Sequence, residues 1–94
     1  MTILHIEHPI RDFDTWKAAF DRDPIGREPS GVRRYRVLRP IDDPNYVMID
    51  LEFDTSIEAE ALLAAMRVVW GRVEGNIMWN PTARIAEVVE TREY

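Results

Sequence analysis

The chain has 94 residues, 46% of them hydrophobic, with 12 Lys and Arg against 17 Asp and Glu for a net charge of −5, and no cysteine. That length holds one domain, residues 1–94, and a domain so small hides only about 60–70% of the surface its unfolded chain exposes, so a second copy covering apolar area is expected. The acidic balance repels phosphate backbones and argues against nucleic acid as a partner, while the missing cysteine excludes disulfides, thiolate metal sites and a thiol nucleophile.

Met1 to His8 has neither the basic start nor the long apolar run of a leader peptide, and no stretch nears the roughly 20 apolar residues of a membrane span. A cytoplasmic protein without a membrane partner is expected. Thr2 to His8 instead alternates, with Leu4, Ile6 and His8 on one parity and Ile3, His5 and Glu7 on the other, the period-2 pattern of a half-buried strand. After Pro9, Asp12 is placed to cap a helix carrying Phe13, Trp16 and Phe20 on one face, with Asp14 at its positive end. The helix must stop before Pro24, and Asp23 to Gly31, with Pro24, Gly26, Pro29 and Gly31, is a connecting loop.

Val32 to Arg39 and Tyr46 to Phe53 are two more strands, joined by a turn over Pro40 to Asn45. In the second, Val47, Ile49, Leu51 and Phe53 form an apolar face that must meet the helices, opposite Tyr46, Met48, Asp50 and Glu52. Thr55 and Glu58 stand three apart as a capping box ahead of Ala59, Leu62, Leu63, Met66 and Val69 at helical spacing. From Ala61 to Trp70 only Arg67 is charged, so this second helix wants cover on more than one side. Gly71 to Pro81 is expected to break regularity, and Thr82 to Glu90 to resume as a last strand. The order β-α-β-β-α-β is that of the α+β ferredoxin-like fold: a four-stranded antiparallel sheet with two helices on one face and the other face bare.

Four stretches, Asp12-Phe13-Asp14-Thr15-Trp16-Lys17-Ala18-Ala19-Phe20-Asp21, Gly31 through Tyr35-Arg36-Val37, Asp42-Asp43-Pro44-Asn45 and Leu51-Glu52-Phe53-Asp54, together resemble the dimeric α/β-barrel superfamily. They are most similar to its small cyclase-like and antibiotic-biosynthesis-monooxygenase-like members. The resemblance implies that two sheets meet through their bare faces as a homodimeric α/β barrel, with a ligand cleft between helices and sheet. It implies a small-molecule-binding protein acting without a cofactor, by cyclase- or monooxygenase-like chemistry, on a small apolar organic substrate. The superfamily's haem-degrading members carry a histidine on the second helix, and this chain has none there. The residues alone equally allow a non-catalytic dimeric binding or interaction module.

His8, at a strand end on the helix-facing side, is the candidate catalytic group, since an imidazole moves protons near neutral pH; a capping or hydrogen-bonding histidine is the plainer reading. Trp16, Tyr35, Trp70 and Trp79 are the large aromatics able to wall a pocket, against ordinary core packing for Trp16 and a lid or an interface for Trp79. His5, Glu7, Arg34, Arg36, Met48, Asp50 and Glu52 are expected on the bare face as the dimer face. A metal there lacks further nitrogen ligands, so paired charges are expected instead, the alternative being a wet, polar barrel lumen whose carboxylates mark a site. Gly26, Gly31, Gly71 and Gly75 are isolated, so no phosphate-binding loop and no nucleotide cofactor is expected.

Overall fold

Alternation decides the sheet. In the computed structural model, which describes residues 1–94, β1 (Thr2–Pro9) and β3 (Tyr46–Phe53) alternate buried and half-buried residues along their whole lengths. Leu4, Ile6, Val47, Leu51 and Phe53 are at most 1% exposed, and they share one core with Trp16, Ala59, Leu62 and Trp70 from the helices. Both helices therefore lie on that face. β1 and β3 pair antiparallel in a register that sets Leu4 opposite Leu51 and Ile6 opposite Ile49. β2 (Arg34–Leu38) joins the outer edge of β3, and β4 (Thr82–Glu87) the outer edge of β1, giving the order β2-β3-β1-β4. This is the ferredoxin-like sheet anticipated from the element order.

Helix α1 (Phe13–Asp21) begins where the Asp12 carboxylate accepts from the Thr15 backbone N–H at 2.7 Å and from the Thr15 hydroxyl at 2.9 Å. Helix α2 (Ser56–Val73) begins at Thr55, whose hydroxyl accepts the Glu58 N–H and donates to the Glu58 carboxylate at 3.0 Å. Gly31 has a φ of +102°, which other residues adopt only with strain, and a Cβ there would also push aside the Glu58 carboxylate, 2.3 Å away. Neither helix is long and apolar enough to cross a membrane.

Three boundaries differ from expectation by two residues or more. β2 starts at Arg34 rather than Val32, because the Val32 N–H turns back to the Arg27 carbonyl while its side chain plugs the core. β4 ends at Glu87 rather than Glu90: Val88 donates to the Met1 carbonyl, and residues beyond it have no strand beside them. α2 passes through Gly71 and ends at Val73, since a lone helical glycine costs about 1 kcal/mol, which the burial of Trp70 readily offsets.

Trp16 is 5% exposed and touches Phe13, Phe20 and His8, with ring centroids 5.0–6.1 Å away. Trp16→Ala should cost about 3–5 kcal/mol. Urea unfolding measures it, and a midpoint indistinguishable from the parent would refute this account of the core.

Candidate functional site

Nine residues make α1 a short helix, and its aromatic side chains, rather than close backbone contact, join it to the sheet. α2 approaches β1, β3 and β4 directly. Between the two helices and the sheet lies a cavity of about 110 Å³. Thirteen of its seventeen lining residues are hydrophobic, so its polar side chains stand out: His8, Asp23 and Arg27. A cavity of roughly 150 Å³ takes up benzene, so this space suits one ring, not a fused polycycle.

His8 reaches it from the end of β1, because it continues the parity of Leu4 and Ile6. It is 2% exposed, and Nδ1 donates to the Pro9 carbonyl at 3.1 Å. Because a carbonyl only accepts, Nδ1 carries the proton and Nε2 presents a lone pair. Nε2 has no partner within the chain, yet no buried polar side-chain atom is sealed away unsatisfied; the cavity is where it opens. Burial pushes the His8 pKa below its ordinary 6.5, against the opposing pull of the Pro9 carbonyl.

Trp16 and Trp70 also line the cavity, whereas Tyr35 and Trp79 do not. Tyr35 faces the helix side, but on edge strand β2, where it is 44% exposed and sits edge-on to Phe20 with centroids 5.2 Å apart. Trp79 is 37% exposed. Its neighbours, not its ring, close the cavity. Arg11 donates to the Ile77 carbonyl and Trp79 to the Pro9 carbonyl, so the segment after α2 is zipped onto the end of β1, which places Ile77 and Met78 in the cavity wall.

Arg27 was not visible in the sequence as a site residue. It belongs to a loop, and only the fold carries its guanidinium back over α1, 3.9 Å from the Phe20 ring centroid and 5.0 Å from that of Tyr35. The nearest local signal is its spacing from Asp23, whose carboxylate takes the Arg27 backbone N–H at 2.9 Å.

The opposite sheet face gathers His5, Glu7, Arg34, Arg36, Met48, Asp50 and Glu52, as strand parity requires. A hydrogen-bonded chain crosses it: the Tyr46 hydroxyl donates to Glu7 at 3.1 Å, His5 Nε2 meets Glu7 at 2.9 Å, His5 Nδ1 meets Asp50 at 2.6 Å, and Arg36 donates to Asp50 at 3.0 Å. Arg34 pairs with Glu52. Both His5 nitrogens face carboxylates, which only accept, so the ring here is an imidazolium. Hydrogen bonds to Glu7 and then Asp50 raise the His5 pKa above 6.5, and the His5 bond holds Glu7 below the usual carboxylate range. Burial pushes Asp50 up, but hydrogen bonds from His5 and Arg36 outweigh it and leave the group lowered.

The two histidines act on stability with opposite sign. The raised His5 contributes stability fully present below 6.5 and lost as pH rises through its folded value. The lowered His8 contributes stability present above 6.5 and lost as pH falls through its folded value. Unfolding free energy should therefore peak near pH 6.5. His5→Gln should flatten the alkaline limb and His8→Gln the acid limb, and NMR titration should find His5 titrating above 6.5 and His8 below it. The reverse order would overturn the assignments.

No family model matches the chain, and no curated protein matches it. Solved structures do. SnoaB, a cofactor-independent oxygenase from Streptomyces nogalater, superposes with a TM-score of 0.75 at 12% identity, over 96% of this chain and 94% of that one. Protein SO0527 from Shewanella oneidensis gives 0.71 at 16% identity, over 90% and 87%. A dimeric ferredoxin-like protein from an uncultured marine organism gives 0.72 at 7% identity, over the whole of both chains. An antibiotic biosynthesis monooxygenase gives 0.70 at 12%. At such identities the likeness is one of fold: this chain has the ferredoxin-like fold of dimeric ferredoxin-like proteins and antibiotic biosynthesis monooxygenases, the fold that the sequence resemblance implies.

Proposed function

We propose that the protein is a homodimer that binds a small, mostly apolar organic molecule in the cavity between helices and sheet and acts on it without a cofactor, His8 serving as the proton acceptor. One observation carries this reading: a histidine 2% exposed, its Nδ1 committed to the Pro9 carbonyl, with an unpartnered Nε2 on a mostly apolar cavity. An ordinary core histidine has both nitrogens satisfied. Here the free lone pair is matched to an acidic O–H or C–H of a ligand, and proton transfer would leave an imidazolium beside a ligand anion, each stabilising the other where water is excluded. Trp16 and Trp70 supply flat apolar walls.

The fold of SnoaB, described as a cofactor-independent oxygenase, is consistent with chemistry of this kind on this scaffold. Dimerisation is supported by the face away from the helices. It carries Ile3, Met48 and Tyr46 around the His5 network, only half-buried, and neighbours of the same fold are described as dimeric. A stable interface buries about 1,200–2,000 Å² in total, which two stacked four-stranded sheets can supply.

Phenol and toluene separate the roles of shape and of His8. Both should bind and alter tryptophan fluorescence, and His8→Leu should weaken phenol about fivefold while leaving toluene unchanged, as loss of one neutral hydrogen bond requires. Equal effects on the two would remove His8 from the site. For the dimer, sedimentation should find twice the 11.0 kDa chain mass. Met48→Glu, which adds a fourth carboxylate to that face directly opposite Glu7, should weaken that association at least tenfold. A monomer at micromolar concentration would defeat the pairing.

A further inference from the structure

We infer that Arg27 is the specificity-determining residue of the cavity, and that the ligand it selects is a single-ring organic acid held ring-inward with an ionised carboxylate at the mouth. This rests on the cavity being the ligand site. The position of Arg27 comes first. Asp23 and Arg27 line both the apolar cavity and a wider outer depression formed by Glu28, Val32, Arg33, Arg34 and Tyr35. Arg27 therefore stands at the boundary between the two, where a group projecting from the ring space toward the depression would meet its guanidinium.

Its free valence comes next. Of the five guanidinium N–H donors, Nη1 donates to the Phe20 carbonyl at 2.9 Å. The nearest acid, Asp23, is 3.6 Å from Nη1, an ion pair without a hydrogen bond. The Asp23 carboxylate is itself occupied by the Arg27 backbone N–H, at 2.9 and 3.1 Å. Arg33 and Arg34, the other cations of the outer depression, are matched to Asp54 and Glu52. All three keep some donors free, but the Arg27 side chain is only 17% exposed, against 65% for Arg33 and 74% for Arg34, so Arg27 is the cation there that is shielded from solvent with donors left over.

Orientation completes the case. The guanidinium lies over Phe20 and beside Tyr35, and Phe20 stacks on Trp16 at 5.0 Å, so the cation is anchored to the same rings that wall the cavity. A planar fork held this way matches a carboxylate bidentately. Asp23 nearby opposes a second negative charge, which favours a monoanion. The cavity volume sets the apolar part at one ring.

Arg27 also caps the end of α1 through the Phe20 carbonyl, so a purely structural latch is the rival to exclude. Benzoate and its neutral isostere benzamide, titrated at pH 7 against tryptophan fluorescence, distinguish the two. The wild-type protein should prefer benzoate at least tenfold, the scale of a charge-assisted hydrogen bond. R27Q should abolish the preference by weakening benzoate alone, and R27K should retain part of it. Equal loss of both probes in R27Q, or wild-type binding of benzamide as tight as benzoate, would overturn the role of Arg27 while leaving the cavity reading intact. Wild-type binding of neither probe would overturn the cavity reading and this inference with it. The wild-type preference needs no variant, so the test stands even if R27Q does not fold.

Discussion

The parity of β1 and β3 is the constraint on which everything else rests. Side chains of a strand alternate between faces, so one register assigns every residue of both central strands at once. Leu4, Ile6, Val47, Ile49, Leu51 and Phe53 go to the helices, and His5, Glu7, Met48, Asp50 and Glu52 to the other side. A one-residue slip of either strand would drive charges under the helices, His5 and Glu7 from β1 or Asp50 and Glu52 from β3, at a desolvation cost of several kcal/mol per ion. The register therefore has no near competitor. The same rule fixes His8: as the last of the inward-facing set it must arrive beneath the helices, at the point where the sheet runs out and the packing loosens.

The cavity follows from how the shorter helix is joined to that sheet. α1 has one buried residue, Trp16, and reaches the sheet through large rings rather than small side chains. His8, Trp16, Phe20 and Tyr35 form a continuous string of ring contacts from the end of β1 to edge strand β2, and Arg27 covers its outer end. Rings packed at centroid separations of 5–6 Å hold α1 in place but cannot fill the wedge toward α2 as branched aliphatics would. Space is left beside the one buried polar side chain that has a nitrogen to spare. Packing and chemistry at this site thus have a common origin in the choice of aromatics on α1.

How much of this was legible in the sequence divides along contact distance. The Asp12 cap, the Thr55–Glu58 box, the inward faces of β1 and β3 and the gathering of seven residues on the far sheet face all follow from local spacing, because caps and strand parity are set by residues a few positions apart. Trp16 and Trp70 reach the cavity for the same reason: their helical phases point them inward. Tyr35 has the inward parity but not the cover, since β2 lies at the sheet edge, a position that strand periodicity does not encode. The segment after α2 reads as irregular because its partners, Pro9 and Arg11, are more than sixty residues away, and Arg27 is placed by a loop that turns at Gly31 with a φ of +102°. The closing wall and the mouth of the cavity were therefore the parts hidden from sequence reasoning.

The two faces of the sheet hold different kinds of interaction. The helix side is apolar and stabilises by burial, which is non-directional and tolerates substitution of similar volume. The other side carries a hydrogen-bonded chain from Tyr46 through Glu7, His5 and Asp50 to Arg36. Such a chain adds little stability while exposed, since solvent screens it and ordered side chains lose entropy. Its contribution grows when a second sheet covers it, because lower dielectric strengthens each pair and makes any unpaired charge costly. In the proposed dimer only an alignment that keeps every carboxylate matched to His5, Arg34 or Arg36, or to a counterpart on the other copy, avoids that cost. Arg84, opposite His5 on β4 and without an acidic partner in its own chain, is the residue such an alignment must satisfy. An interface of aliphatic side chains alone would tolerate many offsets between two sheets. In such a dimer the charged network would reject the wrong ones, so that a domain short of buried surface could keep charges where apolar residues would bind more tightly.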